Sequence, residues 1–126
     1  MKSRLLLLAA LTAGCSSETK LPPPVAREVD FTADVQPIFA KHCASCHGAT
    51  RSKAGIRFDA KETVLTPDLV KPGDSAGSTL IHAVMGMHDR KRMPPDPPHL
   101  SDEQVGILRA WIDQGAKWPD PPKKQS

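Results

Sequence analysis

Two cysteines two residues apart, followed at once by a histidine, close an amphipathic stretch, "FTADVQPIFAKHCASCHG", residues 31 to 48. In Cys43-Ala44-Ser45-Cys46-His47, two intervening residues let one helical turn present both sulfurs to the same edge of a partner. The next residue then carries an imidazole beside them. Four uses compete for such a pentapeptide. A structural disulfide would suit an exported protein. A thioredoxin-like redox pair needs a surrounding βαβ pattern, and none is present. A zinc site needs four ligands, and no second Cys pair or spaced His pair completes the set. The fourth use is covalent attachment of haem c, with two thioethers to the vinyl groups on one porphyrin edge and the histidine on the iron.

Composition favours the fourth. The chain has 126 residues, which points to one small domain with terminal extensions. Hydrophobic residues make up 39% and aromatics 4%, with no tyrosine. That is thin material for a core of this size, so added apolar mass is expected. One covalent haem c would supply it, held by Cys43 and Cys46, with His47 as the proximal iron ligand. Thirteen prolines foretell much irregular backbone.

The ends read differently from the middle. Residues 1–15, "MKSRLLLLAALTAGC", have a basic start at Lys2 and Arg4, then an apolar run too short for a permanent bilayer span, then small residues. This reads as a secretory signal peptide. Its ending resembles the lipobox of bacterial lipoproteins, with Cys15 as the residue that would be lipidated; Thr12 stands where that pattern usually has leucine. Acyl chains there would hold the protein on a membrane surface. Residues 16–29 read as a Pro-rich tether, residues 30–119 as the domain, and residues 120–126 as a polar tail. The net charge of +3 comes from 17 basic and 14 acidic residues, and without Lys2 and Arg4 it falls to 15 against 14. No basic run is interleaved with aromatics, so nucleic-acid binding has no support.

Periodicity predicts an all-α domain of three to four helices around the haem. The first runs into the cysteines, with Thr32 or Asp34 as its cap, Pro37 in its first turn, and Val35, Ile38, Phe39 and His42 on one face. "SAGSTLIHAVM" reads as a helix stopped by Gly86. "LSDEQVGILRAWIDQGAKW" carries a capping box at Ser101 and Gln104, an apolar stripe of Val105, Leu108, Trp111 and Ile112, and a stop at Gly115. Residues 48–74 read mostly as loop.

A helix ending in C-x-x-C-H, a methionine far downstream and an aromatic-bearing last helix resemble the class I cytochrome c fold. More closely, the chain resembles the planctomycete-type cytochrome c domain. That resemblance rests on "VQPIFAKHCASCHG", "KAGIRFD", "KPGDSAGSTLI", "RMPPDPP" and "LSDEQVGILRAWIDQGAKWP". It departs at Ala54, where the family usually has glycine, and at His82-Ala83, in place of a more usual basic pair. The resemblance implies a haem-binding domain in which the methionine of "RMPP", Met93, is the distal iron ligand.

The residues themselves leave several donors for that position: Met85, Met87, Met93, His82, His88 and His99, with His42 as an outsider too close to the attachment cysteines. Met85 lies among Leu80, Ile81 and Val84 and reads as core. Met93 is followed by Pro94 and Pro95, which fix φ at two successive residues and would preorganise a weak thioether ligand. His82 and His88 are the main alternatives. Met/His ligation raises the reduction potential relative to two imidazoles. It also leaves no open site for small ligands, so the expected role is one-electron transfer between redox partner proteins, on the periplasmic side of a bacterial membrane. The alternative is a haem enzyme or ligand sensor with an open or displaceable sixth position. Arg57 is a candidate partner for a haem propionate, and Arg90, Lys91 and Arg92 could form a docking rim for an acidic protein.

Overall fold

The first helix begins one turn earlier than its apolar face suggests. In the computed structural model, which describes residues 20–43, 47–48, 51–52 and 56–120, a π-helical turn over Phe31–Val35 runs straight into α1, Gln36–His42. Its cap is Asp30, not Thr32 or Asp34. The extended backbone of Asp30 lets its carboxylate accept from the Ala33 amide at 2.7 Å. Asp34 instead returns the bond, accepting from the Asp30 amide at 2.9 Å, and holds Arg27 at 2.8 Å. Pro37 sits in the first turn of α1, where it forfeits no helical bond.

After α1, two residues of β1 (His47–Gly48) pair antiparallel with two of β2 (Arg51–Ser52), His47 opposite Ser52. Then come α2 (Lys61–Val64), α3 (Thr79–Met85) and α4 (Asp102–Asp113). Apart from that short ladder the fold is all-α, as the periodicity predicts. α2 is a single turn inside the stretch expected to be loop.

α4 follows its local signals closely. The Ser101 hydroxyl accepts from the Gln104 amide at 3.2 Å, and the Gln104 side chain accepts from the Ser101 amide at 2.9 Å. Val105, Leu108, Trp111 and Ile112 are all buried. They face Val35, Ile38 and Phe39 of the first helix and Leu80, Ile81 and Val84 of α3 in one core. All five aromatic residues of the chain join a single cluster there. Its tightest pairs are Phe31 on Trp118, at 4.4 Å between ring centroids, and Phe39 edge-on to Phe58, at 4.8 Å. Concentrating the few aromatics in one place gives a thinly apolar chain a dense centre.

Residues 20–29, the described part of the Pro-rich segment, lie against the domain. Pro22 is buried, and the Val25 amide donates to the Gly106 carbonyl at 3.1 Å. Arg109 donates to the Pro22 carbonyl at 2.7 Å, and the Gln114 amide group bonds both the Val29 amide and the Arg27 carbonyl. The segment is thus laid along α4. Gly106 permits it: a Cβ there would stand 2.7 Å from the Pro23 carbonyl oxygen. A second polar tie fixes the loop before α3. The buried Ser75 is held by the Asp113 carboxylate through its amide at 2.8 Å and its hydroxyl at 3.0 Å. Among the described residues, no helix is long and apolar enough to cross a membrane.

Candidate functional site

The last turn of α1 delivers His42 and Cys43 to the wall of an apolar cavity of about 310 Å³. Leu80, Ala83 and Val84 of α3 form the facing wall, with Thr79 at its edge. Ile56, Phe58 and Leu69 close one side, and Arg90, Met93, Pro94 and Pro95 border the other. The volume lies in the range of ordinary ligand pockets.

Cys43 is a free, buried thiol. Burial pushes its pKa up to about 12, because the apolar surroundings penalise the thiolate. A reactive redox thiol shows the opposite, a lowered pKa in an electropositive setting. His42, beside it, has its ring nitrogen 3.3 Å from the Gln104 side-chain nitrogen, so α4 steadies this end of the cavity.

Met93 is positioned by the end of α3. Helix C-termini leave carbonyls without intrahelical partners, and this loop uses them. Gly86 adopts φ 63°, the left-handed turn that ends the helix, and the Met87 amide donates to the His82 carbonyl at 2.8 Å. The chain then returns so that the Met93 amide donates to the Ala83 carbonyl at 2.8 Å and Arg92 donates to the Val84 carbonyl at 3.2 Å. The Met93 side chain remains 38% exposed while lining the cavity, so its thioether borders the open side. The Met93–Pro94 and Pro97–Pro98 peptide bonds are cis.

Gly86 is sterically pinned as well as left-handed. A Cβ there would stand 3.1 Å from Cβ of Arg92, the residue before Met93. Gly86→Ala is therefore expected to cost about 1 kcal/mol or somewhat more. In a domain of this size that lowers the melting temperature by roughly 4–8 °C per kcal/mol, readable by circular dichroism.

The other donors weighed for the iron lie elsewhere. Met85 packs against the core, and Met87 is half-buried outside the cavity lining. The His82 ring nitrogen is 2.6 Å from the Ala76 carbonyl, and the ring meets His88 edge-on at 4.7 Å. Neither His82, His88 nor His99 lines the cavity. Arg57 is engaged by Asp59 in a two-pronged pair at 2.8 and 3.1 Å, which holds the Asp59 carboxyl below its usual range. Cys15, Cys46, the His47 side chain and residues 121–126 lie outside the described residues.

The structure adds wall residues that sequence reasoning missed, Phe58 above all. Phe58 sits in an irregular turn with no periodicity to mark it, though an isolated phenylalanine in so aromatic-poor a chain was itself a signal. The residues present fit a haem: an apolar slot whose lining includes a buried cysteine, Cys43, and a partly exposed thioether, Met93.

Residues 43–97 match the model of a family described as planctomycete cytochrome C. Among solved structures, the chain is similar to Kuenenia stuttgartiensis hydrazine synthase, with a TM-score of 0.54 and 23% identity over 75% of this chain. It spans 17% of that protein's chain, so the likeness is one of fold. No curated protein matches. The motif, the cavity and the family match together support a c-type haem protein.

Proposed function

We propose that the chain is a one-electron carrier whose haem is attached through Cys43 and Cys46 and ligated by His47 and Met93. The observation that carries this is the convergence of Cys43 and Met93, fifty residues apart in sequence, on one apolar cavity. When bound, the haem supplies an iron that exchanges single electrons. The protein's part is to exclude water with Phe58, Leu80 and Val84, to hold the attachment edge through Cys43, and to hold a thioether near the open side. A thioether favours the ferrous state, so this ligand set suits a carrier of comparatively high potential. Little has to move on electron transfer, because the Met93 backbone is tied to α3.

The sequence further supports export and a lipid anchor at Cys15, with donor and acceptor proteins on the periplasmic side. The docking of residues 21–29 on α4 supports a domain held near the membrane rather than at the reach of a long spacer. The partial exposure of Met93 favours one competing reading, a haem enzyme or sensor whose sixth ligand is displaced.

The test uses the mature protein. Its intact mass should include one covalent haem, and the ferric spectrum should show the weak red band of iron–thioether ligation. No covalent haem would refute the whole reading. Haem without that band would favour the sensor or enzyme.

A further inference from the structure

We infer that Arg90 binds the carboxylate edge of the group held in the cavity; on the carrier reading above, on which this inference rests, that is a haem propionate. Among the described residues, Arg90 is the one guanidinium lining a cavity whose other walls are mostly apolar. It is exposed, so it stands at the mouth, three residues before Met93. Its backbone is fixed by the bond from its amide to the Met87 carbonyl at 3.0 Å.

Two other guanidiniums, Arg92 and Arg57, have partners of their own. The Arg92 Nε donates to the Val84 carbonyl, and the Arg57 fork is taken by Asp59. Among the described residues, no carboxylate pairs with Arg90. A free guanidinium fork at the rim of an apolar slot matches a ligand that is apolar over most of its area and anionic at its outer edge. Guanidinium and carboxylate meet through two parallel hydrogen bonds, stronger and more directional than a lysine contact. The apolar wall beside the pair raises the value of that contact. This moves the expected propionate partner from Arg57 to Arg90.

The experiment measures reduction potential against pH for haem-loaded wild type, Arg90→Gln, Arg90→Lys and Arg57→Gln. Without the guanidinium, the propionate should bind a proton at least tenfold more tightly. Arg90→Gln should then show a segment near neutral pH where the potential falls by up to roughly 59 mV per unit, a segment absent from wild type. Arg90→Lys should restore most of the flat profile, and Arg57→Gln should match wild type. His42, among the described residues the other ionisable lining group besides the thiol of Cys43, is present in all four proteins and cancels in the comparison. An Arg90→Gln profile that superimposes on wild type, or the new segment appearing in Arg57→Gln, would overturn the assignment while leaving the carrier reading intact. A wild-type protein with no covalent haem would overturn both.

Discussion

Replacing Met93 with alanine is expected to abolish the red band of the ferric protein and to let carbon monoxide bind the ferrous protein readily. The reduction potential should fall by on the order of 100 mV or more, within the roughly 0.8 V range that axial ligation commands. The effect should be confined to the ligand. Met93 is 38% exposed, so its truncation leaves no buried void. Its amide bond to Ala83 is a backbone contact that alanine keeps. Apart from the lost iron–sulfur bond, stability should therefore change by no more than about 0.5 kcal/mol, as for ordinary surface positions. Spectra, carbon monoxide titration and a thermal melt on one preparation separate the two effects. If the band survives in Met93→Ala, another thioether, Met85 or Met87, is on the iron; if wild type itself lacks the band, His82 or His88 would have to supply the ligand. For His82 that means leaving the Ala76 carbonyl.

What was legible in the sequence follows the range of the forces involved. α4 could be read almost residue by residue, because the Ser101–Gln104 box and the four-residue stripe are local patterns. The face of α1 was equally clear, but its cap was misplaced, because the extra π-helical turn shifts the start to Asp30. Residues 21–29 read as a spacer because their composition is proline-rich. Their docking depends on the missing side chain at Gly106 and on the reach of Arg109 and Gln114, none of which their own sequence records. At the site, the sulfur chemistry of Cys43 and Met93 was visible from spacing and proline context. The walls were not. Phe58, Leu69 and Ala83 become lining only when three separate segments fold together. Arg90 read as one charge of a docking rim with Lys91 and Arg92, and only its place at the cavity rim distinguishes it from Lys91.

Trp111→Ala should be the most destabilising single change among the described residues. Trp111 is 2% exposed and stands between the terminal helices, with ring centroids 5.8 Å from Phe39 and 5.9 Å from Phe31. Its indole nitrogen donates to the Lys117 carbonyl at 2.8 Å, which fastens the chain after α4 and so places Trp118 on Phe31. Alanine removes the ring, opens a cavity and loses that hydrogen bond, at a combined cost of about 3–5 kcal/mol. Small domains hold only about 5–15 kcal/mol in total, and this one has few other large side chains to close the gap. The melting temperature should drop by roughly 12–40 °C, at 4–8 °C per kcal/mol. Trp111→Phe separates the two contributions: it keeps much of the packing and loses the indole bond, for about 1–2 kcal/mol. Trp111 does not line the cavity, so below its melting point Trp111→Ala should keep the iron–thioether band that Met93→Ala loses. A Trp111→Ala protein that melts within a few degrees of wild type would show that the aromatic cluster is not what holds the terminal helices together. The thin core would then depend chiefly on the group in the cavity, and removing Cys43 rather than Trp111 would be the change that unfolds it.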